Sequence, residues 1–384
     1  YAIISTQTMS CTTVAKFLVT TVAPNDPGRT PGTPYEFDYK SQQMKEYELP
    51  VFLKDVKYSG DLDHDDGKGT FSGTAMSQKE FFDALGQELG PGQDLVFYIH
   101  GYSVPPKAMI TRANEMQENF NNEAKESHQT APLVVSVDWA CSETPWWEAT
   151  KGYHDDQGSS MMAGLALWRV FSGFERTNES PKLHVVAHSM GNRVLRFVGK
   201  AAVLGDPWEE GAGQGDKTLL DAAPQGLKNN QDLFENLFFV AADIPDTVFM
   251  SPTDGTPETD DEQTDHALRS GIAALSVMSK RMHVLHANDS EPCTDMALNA
   301  SITQNHGNGR LGAFGPFDAG KPAQVWKAVS DMLDRKEGAG ESAEDLYLNV
   351  YVQACAKWNH KADPLLGHRY QAAPETVQYY LKHM

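Results

Sequence analysis

Short apolar segments recur through the middle of the chain and alternate with longer segments of helical periodicity. They are LVFYI (95–99), LVVSV (133–137), LHVVA (183–187), LFFVAA (237–242) and MHVLHA (282–287). Each has the length of a buried β-strand, and its apolar residues are continuous rather than alternating. Continuous apolarity indicates that both faces of a strand are covered, as in a parallel sheet with helices packed on each side. The pattern therefore predicts an α/β fold.

Helical segments flank these strands and carry apolar stripes that predict buried faces. A capping box of Ser77 and Glu80 predicts a helix that begins there and ends near Gly90. Pro374 predicts the start of a last helix. The stripes are Met109, Ala113, Met116 and Phe120 in one helix, Val194, Leu195, Val198 and Ala202 in a second, and Val377, Tyr380 and Leu381 in the last.

Further strands are predicted near the two ends of the chain. Residues 12–22 and 48–58 are rich in β-branched and aromatic residues, which favour strands. Residues 346–353 alternate apolar and polar side chains, as expected of an edge strand with one wet face.

We expect these elements to form a single α/β domain over residues 1–384, in which 1–75 contribute the first strands and loops. Two polar insertions, 205–232 and 254–265, interrupt the alternation of strands and helices. Both are predicted to be solvated surface loops, and a contribution to a lid or to the rim of the site is the alternative.

Composition disfavours nucleic-acid and membrane partners. The 32 basic and 52 acidic side chains give a net charge of -20, which repels phosphate backbones and anionic lipids. No stretch has the length and apolarity needed to span a bilayer, and no signal segment precedes residue 20. We therefore expect a soluble protein, cytoplasmic or exported after removal of a leader, that acts on a neutral small molecule or lipid.

No cofactor or metal is predicted. The four cysteines are far apart and lack zinc-site spacing, so we expect buried thiols, with a Cys141–Cys293 bridge as the alternative. Asp61, Asp63 and Asp65 have the spacing of a calcium loop, but its glycine and bidentate glutamate are missing. A phosphate-binding loop and a dinucleotide fingerprint are also missing.

The candidate nucleophile is Ser189, in the segment Ala187-His188-Ser189-Met190-Gly191. The segment follows a predicted strand and leads into a predicted helix, which is the context of a nucleophile elbow. Small residues two before and two after the serine allow the tight turn. The start of the helix favours a developing oxyanion, and the amide of Met190 is one predicted donor to it.

A second donor is predicted from His100-Gly101-Tyr102, directly after the strand 95–99. Gly101 lets the loop fold back so that the amide of Tyr102 faces the substrate carbonyl oxygen. The amides of Met190 and Tyr102 would then form an oxyanion hole.

The remaining members of a catalytic triad are predicted from chain order. The base follows the last strand in this fold, which leaves His360 and His368, and the longer return path favours His368. His188 adjoins Ser189 in sequence, but the elbow directs it elsewhere, so its predicted role is structural. The acid is expected after the strand that precedes the last, which selects Asp289; Asp243, one strand earlier, is the alternative.

Five stretches identify a family resemblance: YIHGYS, HSMGNR, VAADIPDTVF, HANDS with the downstream RLGAFG, and GHRY. In this order they resemble an uncharacterised esterase/lipase-like family of the α/β-hydrolase superfamily, from about residue 75 to the end. Trp139, Tyr153 and Asp156 also look like family positions. Ser103 stands where the resemblance leads us to expect asparagine, and the two insertions depart from the pattern. The resemblance implies a hydrolase fold with a Ser/Asp/His triad, but no particular substrate.

The sequence thus predicts a serine hydrolase, a carboxylesterase or lipase-like esterase that forms an acyl-enzyme on Ser189. The alternatives on the same scaffold are an amidase, a thioesterase or an acyltransferase. A binding protein that has kept the fold without the activity is the alternative from another class.

Overall fold

A computed structural model describes residues 13–22, 34–38, 46–59, 70–104, 106–141, 149–174, 180–204, 229–244, 271–286, 350–354 and 370–384. The strands are β1 (Thr13–Val22), β2 (Pro34–Asp38), β3 (Glu46–Ser59), β4 (Thr70–Met76), β5 (Leu95–Ile99), β6 (Leu133–Asp138), β7 (Leu183–His188), β8 (Phe234–Val240), β9 (Ser279–His286) and β10 (Val350–Ala354). The helices are α1 (Gln78–Glu88), α2 (Pro106–Ser127), α3 (Ala149–Ser172), α4 (Gly191–Leu204), α5 (Ile272–Met278) and α6 (Pro374–His383).

All ten of these strands lie in one sheet, in the order β10-β9-β8-β7-β5-β6-β1-β3-β4-β2. From β10 to β1 each strand pairs in parallel with its neighbour. The strands β3, β4 and β2 extend the sheet by antiparallel pairing. The mostly parallel sheet confirms the predicted α/β-hydrolase fold class, and β10 occupies an edge as predicted.

Helices cover both faces of the parallel part, as the continuous apolar strands predict. In β5, Phe97 and Ile99 join a buried cluster with residues of α1, α3, α4 and α5, whereas Val96 and Tyr98 join a second cluster with α2 and α6. Alternate side chains of one strand therefore serve the two faces. The three predicted helical stripes are buried, with exposures from 0% to 5%.

Polar pairs extend two strands beyond their apolar segments. β8 begins at Phe234 rather than at residue 237, and β9 begins at Ser279 rather than at 282. Glu235 accepts from Lys280 Nζ at 2.8 Å and from Arg281 at 3.0 Å, so ion pairs join the two strands where polar residues interrupt the apolar pattern.

The pattern of apolar and polar residues did not predict β2, β4, α3 and α5. α3 contains helix-weakening glycines, yet Gly164 is needed there because a Cβ at this position would lie 2.4 Å from the Cβ of Phe197 on α4. β2 and β4 have few large apolar residues and form by pairing with each other and with β3. Tertiary contact, not local pattern, thus determines these elements.

Several predictions from the sequence fall on residues that the structure does not describe. They concern Asp289, His368 and His360, the segments 205–228 and 254–265, the segment 346–349, and Asp61, Asp63 and Asp65. Cys141 is a buried thiol whose Sγ donates to the carbonyl of Val104 at 3.7 Å, and Cys293 is outside the described residues.

A chain of side-chain hydrogen bonds crosses the sheet near the end where the parallel strands begin. Tyr379 of α6 pairs with His283 Nδ1 at 3.1 Å, and His283 Nε2 with Asn236 Oδ1 at 3.0 Å. The Asn236 amide donates to His184 Nδ1 at 2.9 Å, and His184 Nε2 lies 3.4 Å from Asp94 Oδ2. Because the Asn236 amide donates to His184 Nδ1, that imidazole is neutral, and His283 donates from Nε2 to the Asn236 oxygen.

Burial keeps these histidines neutral in the folded protein. It lowers the pKa of His283 from 6.5 to about 3, and the neighbouring side chains of His383 and Arg281 act in the same direction. Burial also lowers the pKa of His184, against a smaller opposing effect of Asp94. The unfolded chain therefore binds protons that the folded chain does not. The contribution of these neutral histidines to the free energy of unfolding is fully present above pH 6.5. It is lost as the pH falls toward the folded-state pKa.

We predict that His283→Gln reduces this acid sensitivity. Glutamine retains an amide donor for Asn236 but does not titrate, so the free energy of unfolding should fall less steeply below pH 6.5, by up to about 1.4 kcal/mol per pH unit. Urea unfolding at pH 7.5, 6.5 and 5.5 measures the slope. His128→Gln, at an exposed position, should retain the wild-type slope. Equal slopes for His283→Gln and the wild type would contradict the prediction.

Candidate active site

The loops after β5 and β7 meet where the strand order reverses. β5 and β7 are neighbours in the sheet, but the chain continues from β5 to β6 on one side and from β7 to β8 on the other. In open α/β sheets, ligands bind in the crevice at the carboxyl ends of the strands at such a point. The loop 100–104 and the turn 188–190 lie there. The sheet order thus brings together two segments about 90 residues apart in the sequence.

Ser189 occupies the turn between β7 and α4 and has a φ of +53°. This left-handed conformation is uncommon for a residue with a side chain. Ser103 after β5 and Ala241 after β8 also have positive φ, at +50° and +45°. Strained backbone is therefore present in three neighbouring loops at the carboxyl ends of the parallel strands, as is common at functional sites.

The positive φ at residue 103 fits the asparagine that the family resemblance leads us to expect there. Asparagine is among the residues that adopt the left-handed region most readily, because its short polar side chain can bond locally. Serine adopts the same conformation here.

Hydrogen bonds to β8 hold the Ser189 turn. The Ser189 amide donates to the carbonyl of Val240 at 2.9 Å, and the Ser189 carbonyl accepts from the amide of Asp243 at 3.2 Å. Asn192, in the first turn of α4, is fully buried, and its Nδ2 lies 2.9 Å from the Ala187 carbonyl, 3.0 Å from that of Ser189 and 3.3 Å from that of Val240. The side chain of Asn192 thus ties the turn to both adjoining strands.

Small residues permit the close packing around this turn. A Cβ at Gly101 would lie 2.8 Å from the Cβ of Ser189, and a Cβ at Gly191 would lie 2.5 Å from the carbonyl oxygen of His100. The backbone after β5 is therefore in contact with the candidate nucleophile. The structure thus brings Gly101, Ser189 and Met190 together, with Tyr102 half-buried next to them.

His188 lies beside the same loop. It is buried, and its Nδ1 would be 3.1 Å from a Cβ at Gly101. A side chain larger than hydrogen at residue 101 would therefore meet both His188 and Ser189. Its contact with the loop agrees with the structural role predicted for His188.

Asp243, the alternative acid, is buried and lies three residues after β8. In addition to its amide bond to Ser189, its carbonyl accepts from Arg193 Nε at 3.1 Å. Burial lowers the pKa of the nearby Arg196 to about 10, and the charge of Arg193 adds to the shift. Arg196 therefore remains charged at neutral pH, and the first turns of α4 carry positive charge in an acidic protein.

Tyr370 anchors the segment that follows His368. Its hydroxyl donates to the carbonyl of Leu285 at 3.0 Å and accepts from the amide of Ala241 at 3.1 Å. These two residues lie at the carboxyl ends of β9 and β8. Tyr370, two positions after the predicted base, is therefore bonded at the carboxyl ends of the parallel strands, where Ser189 also lies.

Sequence reasoning did not assign roles to Asn192, Tyr370 or the side chain of His100. All three belong to segments of the family resemblance, HSMGNR, GHRY and YIHGYS. What the sequence offered for finding them was a polar residue next to a glycine or serine motif at a predicted buried turn. Their bonds to distant backbone carbonyls and amides, however, depend on which strands are neighbours.

Residues 75–342 match the model of a family described as "Alpha/beta hydrolase of unknown function (DUF900)". The chain belongs to this family. The match covers well over half of the chain and includes β5, β7, α4 and β8, whereas His368 and α6 lie beyond its end. The comparison with curated proteins gave no match.

Two further properties concern the described part of the chain. None of its helices combines the length and apolarity needed to cross a bilayer. Its histidine, cysteine, aspartate and glutamate side chains form no group of three or more in a metal-binding arrangement.

We predict that Gly101→Ala destabilises the protein by about 1–3 kcal/mol, because the added methyl group must displace Ser189 or the loop. Gly86→Ala is the matched control. Gly86 lies in α1 with open space around it, so the same substitution should stabilise by about 0.5–1 kcal/mol. Urea unfolding of both variants tests the prediction, which is wrong if Gly101→Ala is as stable as the wild type.

Proposed function

We propose that the protein is a serine hydrolase that cleaves neutral carboxylic esters through an acyl-enzyme on Ser189. The observation that supports this most strongly is the conformation of Ser189, a serine at positive φ between β7 and α4 with the loop of Gly101 packed against its Cβ. A nucleophile elbow has this arrangement. Membership in an α/β-hydrolase family supports the same chemistry.

The proposed reaction has two steps. Ser189 Oγ attacks the ester carbonyl while His368 accepts its proton, and the tetrahedral intermediate expels the alcohol, to which His368 returns that proton. Water then attacks the acyl-enzyme with His368 again as base, which releases the carboxylic acid and restores Ser189. The amides of Met190 and Tyr102 would stabilise the oxyanion in both steps.

The anchoring of Tyr370 supports His368 as the base. The Tyr370 hydroxyl is bonded at the carboxyl ends of β8 and β9, where the Ser189 turn also lies, and His368 precedes Tyr370 by two residues in the sequence. His360, the other candidate, is ten residues from this anchor.

Asp289 remains our preferred acid, with Asp243 as the alternative. Asp289 follows the end of β9 by three residues, and Leu285 near that end accepts the Tyr370 hydroxyl. The backbone of Asp243 is already bonded to Ser189 and Arg193. Both bonds use backbone atoms, so they remain in Asp243→Asn, and that variant tests the carboxylate alone.

Labelling with a fluorophosphonate tests the proposal. Phosphonylation of an activated serine forms an Oγ–P bond and releases fluoride, so we expect one labelled peptide, containing Ser189. Labelling should be lost in Ser189→Ala and retained in Ser127→Ala, a matched substitution on the exposed end of α2. Folded wild-type protein that is not labelled, or that is labelled equally after Ser189→Ala, would contradict the proposal.

A second panel tests the triad with p-nitrophenyl acetate as substrate. We predict that His368→Gln lowers kcat at least about 10³-fold, while His360→Gln changes it little. Asp289→Asn should lower kcat by about 10³- to 10⁴-fold because the imidazolium loses its carboxylate. Asp243→Asn should have a smaller effect on kcat. The reverse ranking of the two asparagine variants would assign the acid to Asp243.

A further inference from the structure

The side chain of His100 is fixed through both ring nitrogens. Nδ1 lies 2.8 Å from the carbonyl oxygen of Gly101, and Nε2 accepts from the backbone amide of Trp139 at 3.3 Å. Because a carbonyl oxygen can only accept, Nδ1 carries the proton. The ring is fully buried and stacks on the Trp139 indole with 5.4 Å between centroids.

The backbone of His100 is held as well. The indole Nε1 of Trp139 donates to the His100 carbonyl at 2.8 Å, and Gly191 at the start of α4 packs against the same carbonyl. Asp138 Oδ1 lies 3.6 Å from His100 Nε2, beyond hydrogen-bond distance, while Asp138 Oδ2 accepts from Thr20 at 2.9 Å. His100 therefore sits in a rigid environment between β5, β6 and α4.

The bond from Nδ1 determines how the next peptide faces. The carbonyl of Gly101 and the amide of Tyr102 belong to one planar trans peptide and point in opposite directions. With the carbonyl held toward the imidazole, the Tyr102 N–H must face away from it. A Cβ at Gly101 would lie only 2.8 Å from the Cβ of Ser189, so this peptide adjoins the nucleophile and its rotation would move the N–H relative to Ser189.

We propose that His100 is a positioning residue that orients the Gly101–Tyr102 peptide so that the Tyr102 amide donates to the oxyanion. This inference rests on the proposed function. His100 does not touch the substrate in this account; it acts through the carbonyl of Gly101. The role requires a donor at the Nδ1 position and not an acceptor at the Nε2 position.

Two variants separate these requirements. His100→Asn places an amide N–H near the position of Nδ1 but provides no partner for the Trp139 amide. His100→Gln places an acceptor near the position of Nε2 but no donor near Gly101. Both variants lose the aromatic stack, so they serve as controls for each other, and urea unfolding compares their stabilities.

With p-nitrophenyl acetate, we expect His100→Gln to lower kcat by about 10- to 100-fold with KM within about threefold of the wild type, because an oxyanion donor is misaligned. His100→Asn should retain kcat within about threefold. If His100 served only to anchor Trp139 or to fill space, His100→Asn would lose as much activity as His100→Gln or more, and that result would overturn the inference.

A thiono substrate gives a readout that a general loss of structure does not move. In p-nitrophenyl thionoacetate, C=S replaces C=O, and sulfur gains little from an oxyanion hole because it is a weak hydrogen-bond acceptor. The ratio of oxygen-ester to thiono-ester rates should fall about tenfold in His100→Gln and stay near the wild-type ratio in His100→Asn. If His100→Gln does not fold, a fall of the ratio in His100→Asn overturns the inference, and an unchanged ratio supports it.

Measurements on the wild-type protein distinguish failure of the inference about His100 from failure of the proposed function. Wild-type protein that neither reacts with the fluorophosphonate nor hydrolyses either ester would overturn the proposed function and the inference together. Wild-type activity with equal effects of the two His100 variants would overturn the inference alone.

Discussion

The left-handed backbone of Ser189 depends on hydrogen bonds from the neighbouring strand β8. A residue with a side chain loses about 1–2 kcal/mol in this conformation. The bonds between Ser189 and the backbone of Val240 and Asp243 offset that cost, since each contributes about 0.5–1.5 kcal/mol. The side chain of Asn192 adds bonds to the same carbonyls. Without this pairing, the turn would relax, and the serine would no longer project from the end of β7.

Close packing between the ends of β5 and β7 then fixes the position of the Ser189 turn relative to the loop after β5. Gly101 and Gly191 leave room for the two backbones to touch, and the carbonyl of His100 lies against the start of α4. The ring of His100 bonds to the carbonyl of Gly101 and to the amide of Trp139. The loop that would supply an oxyanion donor is therefore held by β6 through Trp139 and cannot be described from its own sequence alone.

The sequence predicted the parts of the fold whose local pattern and final environment agree. The strands β5, β6 and β7 are continuous apolar segments, and the structure buries them on both faces. α3 and α5 were missed because glycines or short length weaken their helical pattern, and β2 and β4 because they form by pairing with other strands. The starts of β8 and β9 were misplaced because polar residues, which form ion pairs between the two strands, interrupt the apolar pattern there.

By itself, the sequence determined the α/β class, the elbow at Ser189 and the glycine loop at Gly101, because local periodicity and small residues around a turn are short-range properties. The tertiary structure decided which loops are neighbours, since the order of strands in a sheet depends on contacts between distant segments. It therefore also decided the roles of Asn192, Tyr370 and His100, whose hydrogen bonds reach backbone groups of other strands or loops. A side chain's partners follow from packing, and the residue type alone does not specify them.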